Sequence, residues 1–114
     1  MSEFNITQLP VPSLLRRYVD MQLKLCELSE ENITDVADAL IKLVVSEDDY
    51  DELVLMIISI SSARPLLLES YAMLCCQLAA VFKTSFRKSL LNNGRSLFMR
   101  FLYNYGVFSL RDIE

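Results

Sequence analysis

Apolar residues recur every three or four positions along most of the chain, which is the spacing of amphipathic α-helices. Ser13 is a suitable N-cap for the first helix, which we expect to end near Leu28. The apolar face of this helix consists of Leu14, Leu15, Tyr18, Val19, Met21 and Leu25. Residues 1–12 contain Pro10 and Pro12 and little periodicity, so we expect an extended lead-in there.

Short capping and terminating signals divide the rest of the pattern into further helices. Ser46, followed three residues later by Asp49, resembles a capping box, and Pro65 is favoured in a first helical turn. The β-branched run Ile57–Ile60 would also suit a strand, but the period that starts at Tyr50 favours a helix. The predicted helices run from 13 to 28, from 29 or 32 to 44, from 46 to 63, from 65 to 82, from 84 or 85 to 92, and from 95 to 105.

The links between these helices are very short, and short links make neighbouring helices antiparallel. The sequence therefore predicts an all-α fold of five or six antiparallel helices as stacked hairpins, in a helical bundle or a short α-solenoid. Residues 13–114 form a single helical domain in this interpretation, and no internal repeat period is found. The last eight residues contain a helix-start signature, which favours a domain that continues beyond Glu114 over a short terminal turn.

Composition restricts the chemistry of the chain. Its 114 residues are 53% apolar and 23% charged, which is typical of a folded domain, and they include no histidine. A Ser-His-Asp site, a Cys-His site and a histidine-liganded zinc site are therefore excluded within this chain. We expect Cys26, Cys75 and Cys76 to be small buried hydrophobes in a reducing, cytoplasmic protein. We expect no enzyme activity, no metal and no cofactor.

Two further features have ordinary structural interpretations. The acidic run Glu47–Glu52 lacks the glycine and the alternating ligands of a calcium loop, so we expect a solvated helix start. The most apolar region is interrupted by charges between Arg64 and Glu69. Its two uncharged pieces, of 11 and 13 residues, are shorter than the ~20 needed to cross a bilayer. We therefore expect buried core helices and no membrane partner.

Charge is divided unevenly between the two halves of the chain. Four bases and twelve acids give residues 1–60 a net charge of −8, and seven bases and three acids give residues 61–114 a net charge of +4. No acid occurs from Ser70 to Leu110, and this interval holds the candidate partner-binding residues Lys83, Arg87, Lys88, Arg95 and Arg100. The phenylalanines between them fall at inward helical spacing, and the pI is near 4.8, which disfavours nucleic acid. A protein partner with an acidic surface and a plain solvated face remain as interpretations.

Several short motifs occur in an order that resembles a known family. They are Asn32-Ile33 at one helix start, Ala63-Arg64-Pro65 at another, Tyr71-x-x-Leu74, and Phe101-Leu102-Tyr103-x-Tyr105-Gly106-Val107-Phe108-Ser109. Together they resemble the helical N-terminal region that precedes ankyrin repeats in large families of ankyrin proteins from parasitic protists. The resemblance spans residues 14–114 and implies a helical interaction module without known catalysis. No Thr-Pro-Leu-His signature occurs here, so either the ankyrin repeats lie beyond Glu114 or the domain is a stand-alone copy.

A second resemblance covers about 30 residues. The pattern Tyr71-Ala72-x-Leu74-Cys75-x-x-Leu78, followed by Phe86-Arg87-Lys88-x-Leu90-Leu91-Asn92 and Phe98, is similar to a helix pair in the middle domain of translation-initiation scaffold proteins. It implies stacked helix pairs that bind RNA helicases and RNA. We therefore expect a non-catalytic protein–protein interaction module at the start of an ankyrin-repeat scaffold. The alternative is a HEAT-like helical domain that binds RNA or translation factors.

Overall fold

The computed structural model describes residues 10–94 and 96–107, and within these ranges the chain is all-α. Its helices are α1 (Pro10–Cys26), α2 (Ile33–Leu43), α3 (Tyr50–Ala63), α4 (Leu68–Asn93) and α5 (Ser96–Asn104). Two 3₁₀ turns, Glu47–Asp49 and Pro65–Leu67, lead into α3 and α4. The predicted fold class is confirmed, and the β-branched run in α3 is helical as expected.

The first helix begins at Pro10, earlier than the predicted N-cap at Ser13. Proline has no backbone N–H, but the N–H groups of a first helical turn have no intrahelical acceptor anyway. Pro10 and Pro12 therefore cost the helix no hydrogen bond at this position. The predicted extended lead-in is wrong for residues 10–12, and its first nine residues lie outside the described part of the chain.

The predicted fourth and fifth helices are two segments of α4, which are separated by a kink at Lys83. Lys83 has φ 66° and ψ −139°, a backbone conformation that costs a residue other than glycine on the order of 1–3 kcal/mol. Phe82 and Phe86 flank the kink, and their ring centroids lie 4.8 and 5.7 Å from that of Tyr50. These aromatic contacts hold both segments of α4 against the start of α3.

Successive helices run in opposite directions, as the short links predicted. The start of α3 lies beside the first half of α1, where Asp49 contacts Arg17. The end of α3 lies beside the end of α1, where Arg64 contacts the Cys26 carbonyl. The helices α1 and α3 are therefore parallel, α2 connects them in the opposite direction, and α4 packs against α2, α3 and α5.

One continuous core joins all five of these helices. Its largest fully buried side chains are Tyr71, Phe86, Met21, Leu25, Leu28, Leu40, Leu53, Ile57, Leu74, Leu78, Leu90 and Leu102. The stretch Pro65–Asn93 is long and apolar enough to cross a membrane, judged by length and composition alone. Its most apolar window of 18 residues has a mean hydropathy of 1.5, and 39% of that window is buried inside the domain. Its central position among the other helices gives this apolar composition a structural reason.

The two glycines meet different structural needs. Gly94 has an extended backbone, with φ −71° and ψ 149°. A Cβ there would lie 2.8 Å from the Leu90 carbonyl oxygen, a backbone atom that cannot easily move aside, so close packing favours glycine. Gly106 has φ 72°, and the next N–H, that of Val107, donates to the Leu102 carbonyl. This is a Schellman end, in which a left-handed glycine terminates α5.

The three cysteines differ in exposure. Cys75 is fully buried, and this burial, together with the neighbouring Cys76, raises the pKa of its thiol. Cys76 is half-buried against the core. Cys26 is exposed, which contradicts the prediction that all three are buried. The reason is geometric, since Cys26 follows the buried Leu25 by one position and therefore points about 100° away from the core.

Candidate interaction site

The candidate partner-binding residues fall into three groups in the structure. Lys83 and Lys88 on α4 and Arg100 on α5 are exposed, as a partner surface requires. Arg87 is half-buried. Arg95 lies outside the described residues.

Arg87 has a structural contact that its position in the sequence did not indicate. Its Nη1 donates to the Ala79 carbonyl at 3.3 Å, across the kink in α4. Carbonyl groups in the last turn of a helical segment have no backbone N–H donors from a following turn, and the guanidinium of Arg87 supplies one here. Arg87 therefore joins the two segments of α4, and Lys83, Lys88 and Arg100 remain as candidates for partner contact.

The phenylalanines of the basic interval lie in the core, as predicted. Phe86 and Phe98 are buried, and Phe82 and Phe101 are half-buried against the core cluster. Base stacking on single-stranded nucleic acid requires aromatic rings that are presented to solvent. Among the described aromatic residues of this interval, Tyr103 has the most exposed surface, at 45%.

The acidic run Glu47–Glu52 contains one buried carboxylate, and the prediction of a solvated helix start is wrong there. Asp49 is 2% exposed and accepts hydrogen bonds from Val45 N–H at 2.9 Å, Tyr18 Oη at 3.0 Å and Arg17 Nη2 at 3.2 Å. Burial by itself raises the pKa of this carboxyl, but its hydrogen bonds and the nearby guanidinium outweigh burial and hold the pKa below its ordinary value. We call this arrangement the Asp49 joint, since it ties α1 to the start of α3.

A second polar arrangement, the Arg64 joint, holds the other end of α1. Arg64 Nη1 donates to the Cys26 carbonyl at 2.8 Å and to Tyr71 Oη at 2.7 Å, and Nη2 donates to the Leu28 carbonyl at 3.2 Å. Tyr71 Oη donates in turn to the Leu25 carbonyl at 2.6 Å. The cation and its hydroxyl partner therefore satisfy carbonyls at the negative end of the α1 dipole.

The motifs that carry the ankyrin-family resemblance lie mostly at joints between helices. Arg64 and Tyr71 form the joint just described. The Asn32 side chain accepts from Ser29 N–H at 2.7 Å and donates to the Glu27 carbonyl at 2.9 Å, so it orders the link before α2 rather than capping it. The contacts of these motifs at helix ends and links explain their residues in structural terms, without a bound ligand.

An open groove lies between the start of α2 and the start of α4. It consists of two adjoining depressions of about 280 and 310 Å³. Its apolar surface includes Leu66, which is 96% exposed, and Met73, which is 40% exposed. The charged residues that line it in the described part of the chain are all acidic, namely Glu30, Glu31, Asp35 and Glu69. The groove therefore combines a concave apolar surface with a negative rim.

A contact from α5 orders one wall of this groove. The Tyr105 hydroxyl hydrogen-bonds to Glu69, which connects the end of α5 to the first turn of α4. The hydrogen bond to this carboxylate raises the pKa of Tyr105, and burial raises it further by a smaller amount. Sequence analysis missed the groove. The local feature of the sequence that indicates it is the run Leu66–Leu68. Three consecutive leucines at a helix start cannot all face the core, so at least one of them is expected to be exposed.

The described residues provide no arrangement for metal chemistry, since no group of three or more cysteine, aspartate or glutamate side chains among them is placed to hold an ion. Comparison with protein-family models, curated proteins and solved structures finds no match to this chain. The two family resemblances therefore stay predictions that depend on the quoted residues. The function has to be argued from the surfaces of the domain.

Proposed function

We propose that the domain is a non-catalytic protein–protein interaction module whose groove between α2 and α4 binds a segment rich in basic and apolar residues. The observation that carries this proposal is the combination of exposed Leu66 and Met73 with four acidic side chains around one concave surface. Exposed apolar surface rimmed by polar residues is typical of binding sites. Methionine adapts to irregular partners because its side chain is flexible and polarizable.

The two walls of the groove contribute charge for different reasons. Glu30, Glu31 and Asp35 lie around the start of α2, where the helix dipole favours acids even without a partner. Glu69 belongs to α4 and faces the same groove from the other side. Acids on both walls make the groove negative, so lysine or arginine in a partner would speed encounter and set its orientation. Apolar side chains of the same partner would supply most of the affinity.

A pair of synthetic peptides tests this proposal on the full chain. An amphipathic leucine–lysine helix should bind in NMR titrations, shift the amide resonances of the groove and weaken as salt is added. A leucine–glutamate peptide of the same length should not bind. Glu30→Lys should weaken binding by about fivefold or more. Asp38→Lys, at an exposed acid of α2 outside the groove, is the matched control and should have little effect. Equal weakening by both variants would contradict the proposal.

The exposed basic side chains support a second contact, with an acidic protein surface, further along α4. Lys83, Lys88 and Arg100 are the residues available for electrostatic steering there, because Arg87 is engaged at the kink. The double variant Lys88→Glu/Arg100→Glu should slow association with such a partner and reduce the salt dependence of its rate. Salt-sensitive retention of RNA by the wild-type domain, lost in the same variant, would instead favour the RNA-binding alternative.

We also propose that the module precedes ankyrin repeats in a longer cytoplasmic scaffold. The support is the order of the quoted motifs across residues 14–114. The coding sequence beyond Glu114 tests this directly. Repeats that contain Thr-Pro-Leu-His signatures would support the proposal, and a different type of domain would contradict it.

A further inference from the structure

The first helix has an apolar outer face in addition to the face that it buries. Leu15, Val19 and Leu23 follow one another at intervals of four residues and are 56%, 52% and 55% exposed. Cys26, three residues further on, is exposed as well. On the other side of the helix, Met21 is fully buried. Three turns of α1 therefore present apolar surface that the described part of the chain leaves uncovered.

We propose that this outer face packs against the same face of a second copy of the chain, with the two α1 helices antiparallel. Leu15, Val19, Leu23 and Cys26 recur at intervals of four, four and three residues, so they form one apolar stripe, which would be the seam of the pair. A two-fold axis at the level of residue 21 places Val19 opposite Leu23 of the second copy. The same axis places Leu15 beside Cys26 of the second copy. The face is therefore complementary to itself.

The charges beside the seam favour the antiparallel orientation. Arg16, Asp20 and Glu27 lie along one edge of the outer face. In an antiparallel pair this edge meets the same edge of the second copy, and Arg16 comes within about one residue of the level of Glu27. In a parallel pair it would meet the opposite edge, where Tyr18 is half-buried and bonded to Asp49. Both ends of an antiparallel pair gain an attraction between Arg16 and Glu27, while the two Asp20 side chains lie near each other at the axis and oppose association.

Glu27 has one contact within its own chain, since Lys24 Nζ lies 3.6 Å from its Oε1. Both side chains are largely exposed, and such pairs contribute only about 0.2–1 kcal/mol, so this contact leaves Glu27 able to turn toward a second copy. A stable interface buries about 800 Å² on each partner, which is more than one face of a single helix supplies. We therefore expect a dimer that dissociates on dilution.

Sedimentation equilibrium of the full chain tests this self-association. The average mass should rise with concentration from 13.1 kDa toward twice that value. Val19→Glu should weaken the dimer by about tenfold or more, because it places a charge in the seam. Val81→Glu is the matched control, at a valine of α4 that is 51% exposed, and should leave the dimer unchanged. A constant mass of one chain up to millimolar concentration, or equal weakening by both variants, would overturn the proposal.

The orientation has its own test by charge exchange. Arg16→Glu and Glu27→Arg should each weaken the dimer, and the double variant should restore it, because the two positions meet only in the antiparallel pair. If the double variant stays as weak as the single ones, the antiparallel arrangement is wrong.

Disulfide formation gives a second measure of the orientation. The Cys26 residues of an antiparallel dimer lie about 15 Å apart along the helix axes and should not link on mild oxidation. Gln22→Cys, in a Cys26→Ser background, places its thiol near the two-fold axis and should link. A dimer linked through Cys26 would show parallel helices and contradict the proposal. The groove is on α2 and α4, so failure of either proposal leaves the other standing.

Discussion

The Asp49 joint and the Arg64 joint hold the two ends of α1, and they differ in charge, burial and type of partner. Asp49 is a buried anion that accepts from side chains of α1, whereas Arg64 is a half-buried cation that donates to backbone carbonyls at its end. A buried charge loses solvation that only its partners replace. An arginine at the surface can turn toward water when a partner is lost. We therefore expect the Asp49 joint to contribute more to stability and to be the one that responds to acid.

The largest expected effect comes from removing the buried carboxylate. Asp49→Ala leaves Val45 N–H, Tyr18 Oη and Arg17 Nη2 without their common acceptor, and should lower the free energy of unfolding by about 3 kcal/mol. Urea unfolding followed by circular dichroism measures this change. Asp48→Ala, at the exposed neighbour, should stay within about 0.5 kcal/mol of the wild type. Similar losses in both variants would show that the joint contributes little.

A smaller loss is expected at the opposite joint. Arg64→Ala should lower the free energy of unfolding by about 2 kcal/mol, because it removes donors from the carbonyls at the end of α1 and from Tyr71. Arg64→Lys should recover only part of this loss, since an ammonium lacks the planar fork of a guanidinium. The same unfolding measurement checks both variants. Full recovery by lysine would mean that charge alone, and not the fork, holds the joint.

Removing one tyrosine hydroxyl from each joint compares the hydrogen bonds of the two joints. Tyr71 Oη accepts from Arg64 and donates to the Leu25 carbonyl, whereas Tyr18 Oη donates to a carboxylate that has other donors. We expect Tyr71→Phe to cost about 1.5 kcal/mol and Tyr18→Phe about 1 kcal/mol or less. Thermal unfolding of the two variants under one set of conditions ranks them. The reverse order would contradict the roles assigned to the hydroxyls.

The response to acid separates the joints most selectively. The folded-state pKa of Asp49 is below its ordinary value of 3.8, so its stabilisation is present above that value and is lost as the pH falls through the folded pKa. The stability difference between the wild type and Asp49→Ala should therefore shrink below about pH 4. The difference for Arg64→Ala should stay constant there, because arginine keeps its charge. Urea unfolding at pH 7, 5, 4 and 3 measures both, and parallel curves would contradict the assignment.

The local part of each joint was predictable from sequence, and its distant part was not. Ser46 Oγ accepts from Asp48 N–H at 3.3 Å, which confirms Ser46 as the N-cap, and the Asp49 carboxylate accepts from Val45 N–H at 2.9 Å. These contacts lie within four residues, where spacing alone indicates them. The contact with Arg17 bridges 32 positions and has no local signature. In the sequence, Arg64 was noted only as a charge in the apolar region and as part of the motif Ala63-Arg64-Pro65, although it also closes the end of α1.

The candidate sites show the same limit. Lys83 and Lys88 are exposed, but Arg87 turns toward the kink because the backbone changes direction at Lys83. The groove could not be predicted, since Met73 meets the residues around Glu30 only when α4 packs against α2. A site made by two helices depends on how they pack, and helical periodicity describes each helix alone.

The sequence by itself determined the order of the helices, most of their boundaries and most of the buried faces outside α1. In α1, the predicted apolar face includes Leu14, Leu15 and Val19, which are exposed. Helical spacing, caps and breakers act over about four residues and are visible in the chain directly. Only the tertiary structure decided that Asp49 is buried while Leu15, Val19 and Leu66 remain exposed. Burial of a side chain depends on which surfaces meet across the fold, and the contacts of α1 with α3 and of α2 with α4 join helices that are not consecutive in the sequence. The polar joints, the groove and the outer face of α1 all follow from that packing.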